Sequence, residues 1–194
     1  ELYNKCLAIQ LDTLRPGHPS VATTYGNMAS VLTAQGEYDR AMEIYDQCMA
    51  IRLDTLGPGH PSVASTCRNM ASVRRAQGQY DQAMELNDKC LAIQLKTLGA
   101  GHPSVGTTYH NMASVLRAQG EYARATELYE KCLTIELDTL GSRHPYVATT
   151  YGNMASVLDA QGEYDRATDL YEKCLAIELD TLGPGHPSVA TTYG

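Results

Sequence analysis

The chain has 194 residues, with 15 Lys and Arg against 22 Asp and Glu, so its formal net charge is −7. This mildly acidic balance lacks the basic excess of a general nucleic-acid binder, and we expect no nucleic-acid partner. No apolar run is long enough to cross a bilayer and the N-terminus carries no signal-peptide pattern, so we expect no membrane partner either.

A period of 42 residues organises the whole sequence. The copies occupy residues 1–42, 43–84, 85–126 and 127–168, and a partial fifth copy occupies residues 169–194. No insertion or linker interrupts them. A fixed period of this size is typical of solenoids and other repeat arrays. We therefore expect a single domain over residues 1–194, built from equal units.

The first helix predicted within a copy, helix A, spans about residues 19–35. Proline is favoured at the first position of a helix, so Pro19 begins it and His18 is the expected N-cap. Apolar side chains then recur three and four residues apart, which is the stripe of an amphipathic helix. Gly36 ends the helix, because glycine takes the left-handed conformation at little cost.

The second predicted helix, helix B, begins at Tyr38 and stops at Gly57. It carries two apolar rows, one from Ala41 to Ile51 and one from Tyr45 to Leu56. So wide an apolar face implies burial on more than one side. We expect helix B to pack against its own helix A and against helix A of the next copy, which gives an all-α fold.

Cysteines recur at one phase of the repeat, at Cys6, Cys48, Cys90, Cys132 and Cys174. Packed helices lie roughly 10 Å apart, which exceeds the reach of a disulfide between equivalent positions. These side chains are expected to be small buried apolar groups. Unpaired thiols favour a reducing compartment, so we expect a cytoplasmic location.

Histidines also recur once per copy, each directly before a proline, at His18, His60, His102, His144 and His186. No Cys, Asp or Glu lies beside them at ligand spacing, so we expect no metal, and we expect each histidine either to cap helix A or to hydrogen bond with the adjacent loop. No nucleophile and base pair stands out from the repeats. The sequence therefore predicts a protein without catalytic residues or cofactors.

The copy at residues 22–53 resembles the tetratricopeptide repeat. Its residues fall on the aromatic, large, small and glycine positions of that motif at Tyr25, Met28, Ala29, Leu32, Gly36, Tyr38, Ala41, Tyr45 and Cys48. The longer repeat, with LGPGHPSVATT before helix A, is similar to that of kinesin light chain. The resemblance implies a right-handed α-solenoid superhelix of stacked antiparallel helix pairs, with a concave groove lined by helix A that holds peptides. It also implies a peptide-binding role for Asn27, Asn69, Asn111 and Asn153.

The copies differ most at two positions of helix A that lie seven residues apart. One position holds Gly26, Arg68, His110, Gly152 and Gly194; the other holds Thr33, Arg75, Arg117 and Asp159. Seven residues is close to two turns, so both positions share a face, which the resemblance makes concave. The basic side chains Arg68, Arg75, His110 and Arg117 favour an acidic peptide. Neutral variation on a solvated face is the alternative.

The second copy departs from the others at two apolar positions. Arg74 stands where other copies have leucine, and Cys67 stands where Tyr25 and its equivalents occur. We expect Arg74 to keep its stem packed and its guanidinium in water. A looser core should make this the least stable internal copy, by about 1 to 3 kcal/mol.

Two functions are compatible with this pattern. The first is a protein-interaction scaffold that holds a peptide or partner helix in its groove. The second is a structural array that associates end to end, since the first residues form a helix B without a preceding helix A and the last copy stops at Gly194 within helix A. Both ends should then expose apolar faces, as in a segment of a longer array.

Overall fold

The computed structural model describes residues 2–193, which form helices and no strand. In chain order the helices are α1 (Leu2–Thr13), α2 (Pro19–Ala34), α3 (Tyr38–Leu56), α4 (Pro61–Ala76), α5 (Tyr80–Thr97), α6 (Pro103–Ala118), α7 (Tyr122–Leu140), α8 (Pro145–Ala160), α9 (Tyr164–Leu182) and α10 (Pro187–Tyr193). The predicted all-α class and both helices of the repeat are confirmed. Helix A of the first copy ends one residue earlier than predicted, because Gln35 is its C-cap. The prediction made for Gly194 lies outside the described residues.

The N-terminus of every helix A is closed by a histidine. The Nδ1 atom of His18, in an extended backbone conformation, accepts a hydrogen bond of 3.2 Å from the backbone N–H of Ser20. The equivalent bond is 3.1 or 3.2 Å long at His60, His102, His144 and His186. A cap of this kind satisfies a backbone donor that the helix leaves without a partner. The capping role predicted for these histidines is confirmed.

The C-terminus of helix A is closed by glycine. Gly36 has a φ of 77°, in the left-handed region. The N–H of Glu37 bonds to the carbonyl of Leu32 at 2.9 Å and the N–H of Gly36 bonds to that of Thr33 at 3.1 Å. These two bonds are the Schellman motif, which reverses the chain into helix B.

The chain divides into two units, Glu1–Thr97 and Leu98–Gly194. In the N-terminal unit α2 pairs with α3 and α4 pairs with α5, while α1 packs on α2 and α3 packs on α4. In the C-terminal unit α6 pairs with α7 and α8 pairs with α9, while α7 packs on α8 and α9 packs on α10. Within each unit, helix B therefore contacts its own helix A and the next one, as predicted.

The core is built from small and β-branched side chains of helix A and from a narrower stripe of helix B than predicted. In α3, Ala41, Tyr45 and Cys48 are buried. Leu53 and Leu56 are 42% and 38% exposed, so the second apolar row is buried only at its beginning. The last turns of helix B are therefore less covered by the rest of the protein than its first turns.

No disulfide forms among the six cysteines, which all lie in the described part of the chain, and five of them are buried. Burial, followed by the nearby Glu136 carboxylate, raises the pKa of Cys132 to about 12. The expectation of burial is wrong for Cys6, which is exposed. Its helix α1 packs on α2 and has no buried residue.

The hairpin of α4 and α5 carries three unusual side chains. The Arg74 guanidinium donates to the Oε1 atoms of Gln77 and Gln79 at 3.2 and 2.6 Å, so its charge stays near the surface as expected. Cys67 is 2% exposed. Asn87 replaces a tyrosine of the other copies and is 1% exposed, and its Oδ1 has no hydrogen-bond partner among the described residues. The lower stability of this region remains a prediction.

Candidate peptide-binding grooves

Three of the predicted binding residues lie together in the C-terminal unit. Arg117 of α6 donates to the Oγ of Ser156 in α8 at 3.1 Å. The Nδ2 of Asn153 in α8 lies 3.4 Å from the Nε2 of His110 in α6. The His110 ring also meets Tyr129 edge-on, with ring centroids 5.4 Å apart. Two polar contacts therefore connect consecutive helices A along one face.

A groove of about 430 Å³ opens beside these contacts. We call it the Arg117 groove; its polar lining comes from four helices and includes Arg117, Asn153, Ser156, Tyr171, Glu178 and Thr192. Burial, followed by the nearby Asp159 carboxylate, raises the pKa of the Tyr171 phenol, whose hydroxyl hydrogen bonds with Ser156. The groove thus presents a cation, a carboxylate, an amide and neutral hydroxyls to one space.

A second groove of about 320 Å³ contains His110 and Glu136, together with Thr107, Tyr146 and Thr149. Burial raises the pKa of the Glu136 carboxyl. Its hydrogen bonds with Thr150 and Cys132 and the nearby His144 act in the opposite direction. The Thr150 hydroxyl donates to Glu136 Oε2 at 2.8 Å. A half-buried carboxylate therefore faces the same space as His110.

Glu136 belongs to a row of helix B that was absent from the sequence prediction. Equivalent positions hold Gln10, Arg52, Gln94, Glu136 and Glu178. Hydrogen bonds of 2.7 or 2.8 Å join this row to threonines of the next helix A, among them the pairs Gln10 with Thr24, Arg52 with Thr66, Glu136 with Thr150 and Glu178 with Thr192. The change from arginine to glutamate at one phase of the repeat was the signal that could have identified this row.

The N-terminal unit presents Arg68 and Arg75. Arg68 is half-buried and Arg75 is exposed, and neither guanidinium has a partner among residues 2–193. Arg52 adds a third cation: it donates to the carbonyl of Ser62 at 2.8 Å, and its Nη2 lies 3.8 Å from where a Cβ would stand at Gly26. In the second copy, three positions that vary between copies are therefore all arginine, as Arg52, Arg68 and Arg75.

The asparagines predicted from the resemblance behave differently from one another. Asn153 lines the Arg117 groove and contacts His110. Asn27 is exposed, and Asn69 and Asn111 are half-buried. None of these three side chains makes a hydrogen bond within the described part of the chain. The structure thus places Asn153 in a formed groove.

Within residues 2–193, no three His, Cys, Asp or Glu side chains come close enough to hold a metal ion. In the same range, the helices are too short or too polar to cross a membrane.

Comparison with known proteins identifies the fold family. The tetratricopeptide repeat profile matches residues 1–54, 20–96, 62–137, 104–180 and 146–194. No curated protein sequence matches the chain significantly. A crystal structure of a kinesin light chain with nearly identical TPR-like repeats, from Podosopora anserina, is 34% identical with a TM-score of 0.76, and the match covers 93% of this chain and 85% of that one.

A second solved structure supports the fold alone. BtubC (BKLC) from P. vanneervenii is 22% identical with a TM-score of 0.83, and the match covers 96% of this chain and 74% of that one. The family profile extends over every copy of the 42-residue repeat, and the helix pairs of the structure correspond to that profile. The chain belongs to the tetratricopeptide repeat family.

Proposed function

We propose that the chain is a non-catalytic, cytoplasmic scaffold that binds a peptide segment of a partner protein along the face of its helices A. Tetratricopeptide repeats commonly serve as interaction scaffolds. The observation that carries the proposal is the convergence of Arg117, Asn153 and Tyr171 on a groove of about 430 Å³. The lack of a disulfide among the described cysteines supports the location.

The charges favour an acidic ligand that also offers hydrogen-bond donors. Arg68 and Arg75 have no partners in the structure and can form forked hydrogen bonds with carboxylates. In the C-terminal unit Arg117 lies in the same groove as Glu178, whose carboxylate can accept from a peptide N–H. We therefore propose that carboxylates of the ligand meet the arginines while its backbone donors meet the glutamates.

Fluorescence polarisation with two labelled peptides tests the ligand class, one rich in glutamate and one rich in lysine. We expect saturable binding of the glutamate-rich peptide that weakens with added salt, because exposed charges are screened. The double variant Arg68→Glu, Arg117→Glu should lose most of this affinity and its salt dependence.

The matched control is Arg40→Glu with Arg143→Glu, which changes one arginine in each unit and gives the same net charge. Both arginines are exposed and lie outside the two grooves of the C-terminal unit. An equal loss of affinity in the two double variants would show that net charge, and not the proposed face, attracts the peptide. Equal binding of the two peptides to the unmodified protein would exclude an acidic preference.

A second candidate function, association with another copy of the chain, rests on α1. This helix buries no residue, and Leu2 and Ile9 are 82% and 64% exposed. Sedimentation velocity over a concentration series should then show growing oligomers that Leu2→Lys with Ile9→Lys abolishes. A monomer at every concentration would remove this candidate and leave the scaffold.

A further inference from the structure

The N-terminal unit contains an apolar groove that the proposed peptide-binding face does not use. It lies among α3, α4 and α5, has a volume of about 470 Å³, and is lined by residues that include Met49, Val63, Met70, Leu86 and Ile93. Cys67 forms part of its wall and Lys89 lies at the same groove. We call it the Cys67 groove.

The other copies of the repeat show which group belongs at this position. Cys67 stands where the other copies have Tyr25, Tyr109, Tyr151 and Tyr193. Cysteine is much smaller than tyrosine, so the second copy lacks a phenol ring at this position. The thiol itself packs against Val63, Ala64 and Cys90, and Met49 and Ile93 border the cluster.

The lysine that accompanies the ring is still present. The Nζ atom of Lys131 lies 5.8 Å from the ring centroid of Tyr109, and that of Lys173 lies 5.8 Å from the ring centroid of Tyr151. Lys89 follows Cys67 by 22 residues, the same separation as Lys131 from Tyr109, and is therefore the equivalent residue. A cation above an aromatic face is attracted by the ring quadrupole. The Cys67 groove therefore keeps the cation and the apolar walls of an aromatic site without the aromatic ring.

The available space is sufficient for a ring. An apolar cavity of about 150 Å³ is enough to hold benzene in a protein interior. The Cys67 groove is larger and open to solvent, so a side chain can enter it from outside.

We propose that the Cys67 groove binds a tyrosine side chain of a partner protein, with the ring against Cys67 and the Lys89 ammonium over its face. The chain's own Tyr109 and Lys131 show this arrangement within the α6–α7 pair. Because it uses no residue of the Arg117 groove, this site is independent of the proposed peptide-binding function. The two proposals can fail separately.

The test uses p-cresol, which is the tyrosine side chain without its backbone, on the full chain. Saturation-transfer NMR measures its binding, and a thermal shift that grows with its concentration supports it, because a ligand of the native state stabilises by mass action. We expect one saturable site in the unmodified protein. Cys67→Tyr should fill the groove and abolish binding, and circular dichroism verifies that the variant remains helical.

Two further variants make the test specific. Tyr109→Cys should open a second, equivalent site beside Lys131. Lys89→Ala should weaken p-cresol binding about two- to fivefold, the range expected of an exposed cation–π contact. If Tyr109→Cys does not fold, the comparison of Cys67→Tyr with Lys89→Ala still decides the proposal.

Several outcomes would overturn the proposal. Absence of p-cresol binding to the unmodified protein, or equal binding to Cys67→Tyr, would show that the groove is not a ring site. Equal affinity for toluene would show that the hydroxyl is not recognised, and the occupant would then be phenylalanine. Competition by a short peptide containing tyrosine, but not by the same peptide with alanine, is the expected result for a site that binds a partner's side chain.

Discussion

Replacing Asn87 with tyrosine should stabilise the α4–α5 hairpin. Asn87 is 1% exposed and its Oδ1 has no partner among the described residues. At equivalent positions Tyr45 and Tyr129 are 2% and 0% exposed, and their hydroxyls hydrogen bond with Ser30 and Ser114 at 2.9 and 3.1 Å. The second copy retains the corresponding serine as Ser72.

The magnitude follows from three contributions. Removing an unpaired buried carbonyl oxygen recovers about 1–3 kcal/mol, and a new hydroxyl hydrogen bond with Ser72 adds about 1 kcal/mol. Enlarging a buried side chain costs about 1–3 kcal/mol where the surroundings have closed around the smaller one. With the middle of each range, Asn87→Tyr should stabilise the hairpin by about 1 kcal/mol.

Native-state hydrogen exchange is the suitable assay, because it reports local opening in a repeat protein that need not unfold as one unit. Amides of α5 should exchange about fivefold more slowly in Asn87→Tyr, as about 1 kcal/mol requires. The reciprocal change Tyr129→Asn in α7 should accelerate exchange of that helix.

The sequence also predicts that the copy at residues 43–84 exchanges fastest among the internal copies of the unmodified protein. Faster exchange in α5 after Asn87→Tyr would refute the reasoning, since it would mean that the α4–α5 hairpin has repacked around asparagine and has no space for the ring. Slower exchange in the second copy than in the first or fourth would refute the expected order.

Two substitutions and one labelling experiment test separate parts of the structure. Gly106→Ala should raise the free energy of unfolding in urea by about 0.5–1 kcal/mol, because alanine is the better helix former. The new Cβ would lie 3.3 Å from Ile135 Cγ2, and the other copies have alanine at this position. A lower urea midpoint would show that Ile135 cannot adjust. Glu136→Gln should flatten the pH dependence of stability. The raised pKa of Glu136 means that the native state binds this proton more tightly than the unfolded state does, so the unmodified protein loses stability as pH rises above the ordinary glutamate range. An unchanged slope of stability against pH in the variant would contradict this. Native protein should react with a thiol reagent at Cys6 and not at the buried Cys48, Cys90, Cys132 and Cys174, and labelling of any of these four without denaturant would contradict the packing.

The helix boundaries could be predicted because their causes are local. The cap at His18 and the left-handed Gly36 involve atoms only a few residues apart, and each is repeated in every copy. The burial of helix B was predicted less well, since the exposure of Leu53 and Cys6 depends on how far a neighbouring helix reaches. That extent is absent from the periodicity of a single copy.

In the candidate site, too, local features could be predicted from the sequence and contacts between helices could not. Variation between copies identified His110 and Arg117, because a difference at one phase of the repeat is visible in the sequence. The contact of His110 with Asn153 joins residues 43 positions apart and depends on how one helix A is rotated against the next. The sequence did not predict the unpaired Asn87 for a similar reason. The equivalent Tyr129 hydrogen bonds with Ser114, and only the structure shows that Asn87 is buried at this position without such a bond to its Oδ1.

The threonines that hydrogen bond with Gln10, Arg52 and Glu136 have a consequence for how such a chain can evolve. A hydroxyl can donate or accept, and here it donates to glutamine and glutamate but accepts from arginine. The same backbone therefore accommodates a neutral, positive or negative neighbour without an unpaired buried group. Recombination between copies of the gene segment can reorder these charges along the array while the folding of each helix pair is preserved, so new partners can be selected by permutation of existing copies.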